Sequence, residues 1–140
     1  MKKVSRILLL VAGIYSLVCA SIFIILGIVF LVYSSPDKKD IVIEGFERGF
    51  ITTVYQGTVE EKAQFVQTLW KILGVISLVE CVFGFINAFV SFTARKNETK
   101  PLYIINIVFG VISGLVVNVV GAIFGLIALN RQEVNNVIEE

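Results

Sequence analysis

The sequence predicts an all-α fold: a three-transmembrane-helix bundle with a short external amphipathic helix between spans 1 and 2. Of the 140 residues 56% are hydrophobic and only 16% are charged, whereas soluble domains average about 45–50% and about 25%. Three apolar runs, at about 7–33, 69–92 and 102–129, are each longer than the ~20 residues that a spanning helix needs. We therefore expect a single membrane domain over residues 1–140.

The first apolar run is expected to remain part of the protein as a helix and not to be cleaved. Lys2, Lys3 and Arg6 precede it and resemble the basic start of a signal peptide. The apolar core of a cleaved signal peptide has about 7–15 residues, and this run is nearly twice as long. The sequence therefore predicts an uncleaved first span.

The distribution of charge predicts the orientation. Basic residues near short loops mark the cytoplasmic side of a membrane, and they concentrate at the N-terminus and in the loop at 93–101. The segment at 34–68 and the tail at 130–140 each carry more acidic than basic residues. We expect a multi-pass protein of the cell membrane in which the N-terminus and the loop are cytoplasmic and the C-terminus is extracellular.

The external segment is predicted to contain a helix at about 38–55. Its apolar residues recur at helical spacing; they are Ile43, Phe46, Phe50 and Val54. An irregular loop whose phenylalanines cover the bundle is the alternative. Thr58 and Glu61 fit a capping box, so the second long helix should start near Val59 and run to about Phe92.

Polar and small residues recur at steps of three and four in the second span and so share one helix face. We predict an intramembrane polar network formed by Ser77, Glu80, Asn87 and Asn118. A charged Glu80 at mid-span would cost roughly 2.5–3.5 kcal/mol. Three interpretations stay open: a neutral hydrogen bond to asparagine that fixes helix register, a proton or cation pathway, and a contact with a partner.

Glycines are predicted to form the helix contacts, because small residues let helices approach closely in lipid. The positions are Gly74, Gly84, Gly110, Gly114, Gly121 and Gly125, and the last four form two G-x-x-x-G pairs. Whether these faces also pack against another subunit is left open by the sequence.

The composition argues against an enzyme, a metal site or a cofactor. The chain has no histidine, which is the commonest general base and metal ligand. Cys19 and Cys81 lie inside apolar runs, where packing explains them. A net charge of +1 gives no indication of nucleic-acid binding.

The chain also resembles a known family. Lys100-Pro101 and the apolar stretch from Ile104 to Gln132 are similar to the final span of small bacterial membrane proteins of the domain-of-unknown-function 4064 family. Proteins of that family have a basic N-terminus, a first span, a polar external loop and two Gly-rich spans, and residues 2–17 and 69–131 of this chain fit that outline. The resemblance implies a protein of the bacterial cytoplasmic membrane, and it implies no activity and no catalytic residues.

The functional hypothesis that follows is a small interaction or accessory protein. It would contact membrane lipid and bind a membrane-protein partner or its own copies through the Gly/Ser/Asn faces and Glu80. An oligomeric pore lined by Glu80 and Asn87 is one alternative. An immunity or stress-response protein of the membrane is another.

Overall fold

The computed structural model of the chain describes the backbone of residues 1–139 and the side chains of residues 1–134. Within this part the fold is all-helical, without strands. The five helices are α1 (Lys2–Tyr33), α2 (Lys39–Glu47), α3 (Val59–Asn97), α4 (Lys100–Ile112) and α5 (Val116–Glu139). A turn of 3-10 helix, Pro36–Lys38, precedes α2. The last residue of the tail predicted at 130–140 lies outside the described residues.

Two of these helices, α1 and α3, are long and apolar enough to cross a membrane. They have 32 and 39 residues, so each is longer than the ~20 residues that a crossing requires. The sequence predicted long apolar helices in both places, and α3 extends beyond the predicted end at Phe92 to Asn97.

The third apolar run, predicted as one span at about 102–129, is divided between α4 and α5. Gly114 lies between them at φ +65°, a left-handed conformation that glycine adopts without a Cβ clash. The N–H groups of Gly114 and Leu115 donate to the carbonyls of Val111 (3.2 Å) and Gly110 (2.8 Å). This is the bonding of a Schellman motif, which ends a helix and satisfies its last carbonyls.

Helices α4 and α5 pack against each other as an antiparallel hairpin. The ring of Tyr103 occupies the space that a side chain on Gly125 would need. Farther from the turn, Lys100 Nζ lies 2.5 Å from Glu133 Oε2. Glu133 on α5 therefore lies at the level of Lys100, where α4 begins.

The chain divides into two compact units. The first consists of Met1–Ser21 and Cys81–Glu140, that is, the start of α1, the end of α3 and the hairpin. A hydrogen bond of 2.7 Å from Ser5 Oγ to the carbonyl of Gly121 joins α1 to α5. The apolar core of this unit contains Leu9, Ala94, Tyr103 and Ala122.

The second unit, Ile22–Glu80, combines the end of α1, helix α2 and the start of α3. Gly27 and Gly74 allow α1 and α3 to approach closely, because a Cβ on either would lie 3.2 Å from the carbonyl oxygen of the other. The core of this unit centres on Val42, Ala63 and Val66, against which Phe46, Phe65 and Trp70 pack.

The external helix α2 is shorter than the predicted 38–55. Gly49 adopts φ +71°, and its N–H donates to the carbonyl of Phe46 at 3.0 Å. The N–H of Phe50 donates to the carbonyl of Gly45 at 2.9 Å, which completes a second Schellman motif. The helical prediction is therefore wrong beyond residue 47, where the chain turns and continues without helix to residue 58.

The predicted start of the second long helix is confirmed. The N–H of Thr58 donates to Glu61 Oε2 at 2.9 Å, and the N–H of Glu61 donates to Thr58 Oγ1 at 3.3 Å. This is the reciprocal bonding of a capping box, and α3 begins at Val59.

Candidate functional site

Besides Ser5, which bonds to the carbonyl of Gly121, the first unit buries five polar side chains among four helices. They are Ser16 on α1, Asn87 and Ser91 on α3, Asn106 on α4 and Asn118 on α5, and each is at most 1% exposed. A buried amide or hydroxyl costs free energy unless it forms hydrogen bonds. Their placement therefore has to be explained by the partners that they find.

A chain of side-chain hydrogen bonds crosses from α5 to α1. Asn118 Nδ2 donates to Asn87 Oδ1. Asn87 Nδ2 in turn donates to Ser16 Oγ at 2.8 Å. Three separate helices are thereby connected through amide and hydroxyl groups alone.

Ser91 and Asn106 attach helix α4 to the same network. Ser91 Oγ lies 2.8 Å from Asn106 Oδ1 and 2.9 Å from Asn118 Oδ1, and its single proton can serve one of them at a time. Asn106 Nδ2 donates to the carbonyls of Val90 (3.2 Å) and Leu102 (3.1 Å). Within the described side chains, every buried nitrogen and oxygen has a hydrogen-bond partner.

This network can hold helices in register, but it offers little chemistry. Amides and hydroxyls of this kind do not change charge near neutral pH, and the bonding groups of Asn87 and Asn118 are already used inside the chain. Because a hydrogen-bonded polar group resists being moved into apolar surroundings, we interpret the network as the anchor of the α4–α5 hairpin.

The sequence predicted part of this network. Asn87 and Asn118 do come together. Ser16, Ser91 and Asn106 were not assigned to the site, although Ser91 shares the polar face of the second span and Ser16 and Asn106 lie in the other two apolar runs. Their spacing indicated a contact face, but only the fold of the hairpin determines which residues on that face meet.

Glu80 and Ser77 lie elsewhere. Both belong to the second unit, where Ser77 is buried and Glu80 is exposed. The predicted hydrogen bond between Glu80 and an asparagine is not formed, because Asn87 bonds to Ser16 and Asn118 instead. The four predicted residues therefore form one bonded pair and two separate positions.

Glu80 stands on an apolar surface. Ile76, one turn earlier, is 51% exposed, and the adjacent Val79 is 49% exposed. No Lys or Arg side chain among the described residues forms an ion pair with the Glu80 carboxylate. An isolated carboxylate surrounded by exposed aliphatic side chains is thus the unusual feature of the second unit.

Most of the predicted glycines occupy helix contacts. Added Cβ atoms would meet Leu31 at Gly74 (2.8 Å) and Ala20 at Gly84 (3.0 Å). Contacts of the same kind are found at Gly110, Gly121 and Gly125. Gly114 is the exception: no atom lies within 4 Å of its added Cβ, and its role is the turn between α4 and α5. The Ser-Gly dipeptide at 113–114 is a turn signal that the surrounding apolar run obscured.

The carboxylate of Glu98 joins α1 to the segment after α3. Glu98, at φ +48°, accepts a hydrogen bond from Arg6 Nε and lies 2.7 Å from Lys2 Nζ. Burial raises the pKa of Glu98, but the hydrogen bonds and charges of Arg6 and Lys2 outweigh burial and lower its pKa below the usual value.

Comparison of the chain with protein-family models, with curated proteins and with solved structures finds no match. The resemblance to the domain-of-unknown-function 4064 family therefore stays a prediction. Among the described residues, no three His, Cys, Asp or Glu side chains come together as they would at a metal site.

Proposed function

We propose that the protein is a small integral membrane protein of the cell membrane that acts as a subunit or modulator of a larger membrane complex. The exposed apolar surface of its two longest helices supports the first part. Only 17% of the most apolar window of α1 and 28% of that of α3 are buried within the chain. Apolar surface left in water costs about 25 cal/mol per Å², whereas lipid tails accept it.

The orientation follows from the basic residues. We infer that α1 and α3 each cross the bilayer, because the basic N-terminus and the basic loop at 93–101 belong on the cytoplasmic side. The segment that joins these helices, 34–58, would then be external. Trp70 and Tyr33, whose ring centroids lie 6.2 Å apart, suit the outer interface, where aromatic side chains concentrate.

The hairpin favours a re-entrant segment over a third crossing. Helix α4 has 13 residues, or about 20 Å, and a crossing needs about 30 Å. The ion pair between Lys100 and Glu133 indicates that α5 ends on the side where α4 begins. We therefore propose a cytoplasmic C-terminus, which differs from the extracellular one expected for three full crossings.

The observation that carries the accessory function is the exposed Glu80 carboxylate. A charged carboxylate that faces lipid at the middle of a span would cost roughly 2.5–3.5 kcal/mol. Intramembrane acidic residues of this kind usually face protein. Glu80 lies two turns before Asn87 and so on the same side of α3. Asn87 is covered within the chain and Glu80 is not. We propose that a transmembrane helix of the partner covers the face around Glu80.

The small-residue faces are a weaker candidate for the partner surface. Gly74 and Gly84 are in contact with α1 residues, and the amides of Asn87 and Asn118 bond each other. These groups are therefore used to assemble the chain itself. This narrows the partner surface from the whole Gly/Ser/Asn pattern to the region of Glu80.

No residue favours the two alternative functions in the same way. A pore lined by Glu80 and Asn87 needs both side chains on one aqueous surface, but Asn87 is fully buried and bonded on both sides of its amide. Flux of protons or cations across the membrane of liposomes that contain the protein would nevertheless support the pore hypothesis. Among the contacts of the described residues, none in particular supports the immunity or stress-response hypothesis.

A site-specific photocrosslinker tests the partner surface. Ile76, one turn from Glu80, and Val82, on the opposite side of α3, are exposed to a similar extent, 51% and 57%. Each is replaced in turn by a benzophenone amino acid, and the variant is expressed in the native cells of the protein. We expect a discrete adduct with another protein from position 76 and lipid adducts alone from position 82.

Variants of Glu80 connect that adduct to the carboxyl group. Glu80→Gln keeps a hydrogen-bonding side chain and should retain the adduct from position 76, whereas Glu80→Leu should lose it. Absence of any protein adduct from position 76 would overturn the proposal. Equal adducts with the Leu variant would show that the partner does not recognise Glu80.

A further inference from the structure

A basic cavity opens where α1 begins and α3 ends. Its volume is about 440 Å³, and its lining consists of Arg6, Phe92, Arg95 and Lys96. Arg6 immediately precedes the first apolar run, and Arg95 and Lys96 follow the second within a turn. In a chain that crosses the bilayer with α1 and α3, these residues lie at the level of the lipid headgroups.

The cavity has a surplus of positive charge. Glu98 is engaged by Arg6 Nε and by Lys2, so this carboxylate neutralises no other lining residue. Arg95 and Lys96 are exposed, and no carboxylate among the described side chains lies within ion-pair distance of either. Two cations therefore face the cavity without a counter-charge from the described part of the chain.

We propose that this cavity binds the headgroup of an anionic phospholipid. Guanidinium and ammonium groups are the donors that recognise phosphate, and the cytoplasmic leaflet carries anionic lipids. The Phe92 side chain supplies an apolar wall, which suits the glycerol and upper acyl region of a lipid better than a free anion. The inference depends on the proposed membrane insertion, but it does not depend on a partner at Glu80.

Native mass spectrometry of the purified full chain in a nonionic detergent tests this site. The protein is titrated with phosphatidylglycerol and, separately, with phosphatidylcholine of the same acyl chains. We expect tighter binding of the anionic lipid. The pair Arg95→Gln and Lys96→Gln should lower the affinity for phosphatidylglycerol by about fivefold for each cation removed.

A matched pair of substitutions separates the cavity from general surface charge. Lys3→Gln with Arg131→Gln removes the same charge, and neither residue lines the cavity. This control pair should lower the affinity for phosphatidylglycerol clearly less. The exchange Arg95→Lys with Lys96→Arg, which keeps both charges, should keep most of that affinity. Equal losses from the two neutralising pairs, or equal binding of phosphatidylcholine, would overturn the proposal.

Competition with inorganic phosphate identifies the source of the anion. Because the apolar wall is part of the site, millimolar phosphate should displace little phosphatidylglycerol. Efficient displacement would overturn the lipid assignment in favour of a soluble anion. The measurement needs no partner protein, so a missing crosslink at position 76 would leave its result unchanged.

Discussion

Asn118 donates a hydrogen bond to Asn87, a residue 31 positions earlier on another helix. Both side chains are fully buried, so the bond links the second arm of the hairpin to the longest helix of the chain. Aliphatic contacts supply no directional bond. The amide pair, together with the bonds of Asn106 to Ser91 and Val90, therefore selects one position of the hairpin along α3.

The first prediction concerns this pair. Asn118→Ala should lower the free energy of unfolding by about 1–3 kcal/mol, because it leaves the buried Oδ1 of Asn87 without its donor. Unfolding in mixed detergent micelles measures the loss, with the exposed Asn130→Ala as control. Adding Asn87→Ala should cost less than the sum of the single changes. Strict additivity would contradict a direct coupling of the two amides.

The second prediction concerns the close approach of α1 and α3 in the second unit. Gly74→Val should destabilise the protein by about 1–3 kcal/mol, because its Cβ would meet Leu31 at 2.8 Å and the carbonyl of Gly27 at 3.2 Å. Val75→Ile enlarges the exposed neighbour and should be nearly neutral. The same unfolding measurement compares them, and equal stabilities would rule out the contact.

The third prediction concerns the hairpin turn. Gly114→Ala should cost about 1–2 kcal/mol, because an L-residue is strained at φ +65°. No neighbour lies within 4 Å of the added Cβ, so crowding is not the reason. Gly114→Asn should cost less, since asparagine tolerates this conformation. If the Asn variant is as unstable as the Ala variant, backbone strain is not the cause.

The fourth prediction concerns pH. Lys2 and Arg6 lower the pKa of Glu98 in the folded protein, so ionised Glu98 stabilises the fold above the ordinary glutamate pKa of about 4.3. That stability is lost as the pH falls below this value and through the lower pKa of the folded state. The Glu98→Gln variant should be less stable than the parent at neutral pH. The difference between their unfolding curves should shrink as the solution is acidified; a constant difference would refute the assignment.

The fifth prediction concerns the side of the C-terminal helix. In a chain lacking Cys19 and Cys81, single cysteines replace Thr53, Thr99 and Gln132. A membrane-impermeant maleimide added to intact cells should label position 53 and leave positions 99 and 132 unlabelled until the membrane is opened. Labelling of position 132 together with position 53 would establish three full crossings and contradict the re-entrant hairpin.

Local patterns along the sequence were enough to predict the helical class and several helix limits. Hydropathy and length predicted α1 and α3, because a long apolar run has few other ways to satisfy its backbone. The capping box predicted the start of α3 at Val59, since Thr58 and Glu61 interact within one turn. Glycine spacing also predicted close contacts, which Gly74 and Gly84 provide.

The role of Gly114 and the pairing of the polar groups became known from the packing of the helices. A hydropathy profile does not detect a turn made by one left-handed glycine inside an apolar run. A hairpin and a single span therefore give the same profile. Periodicity placed Glu80 and Asn87 on one side of α3. Periodicity does not say which residues on that side are covered: within the first unit Asn87 bonds to Asn118, and within the second unit Glu80 is exposed. Hydrogen bonds between residues distant in sequence are properties of the packed helices, and no local pattern specifies them.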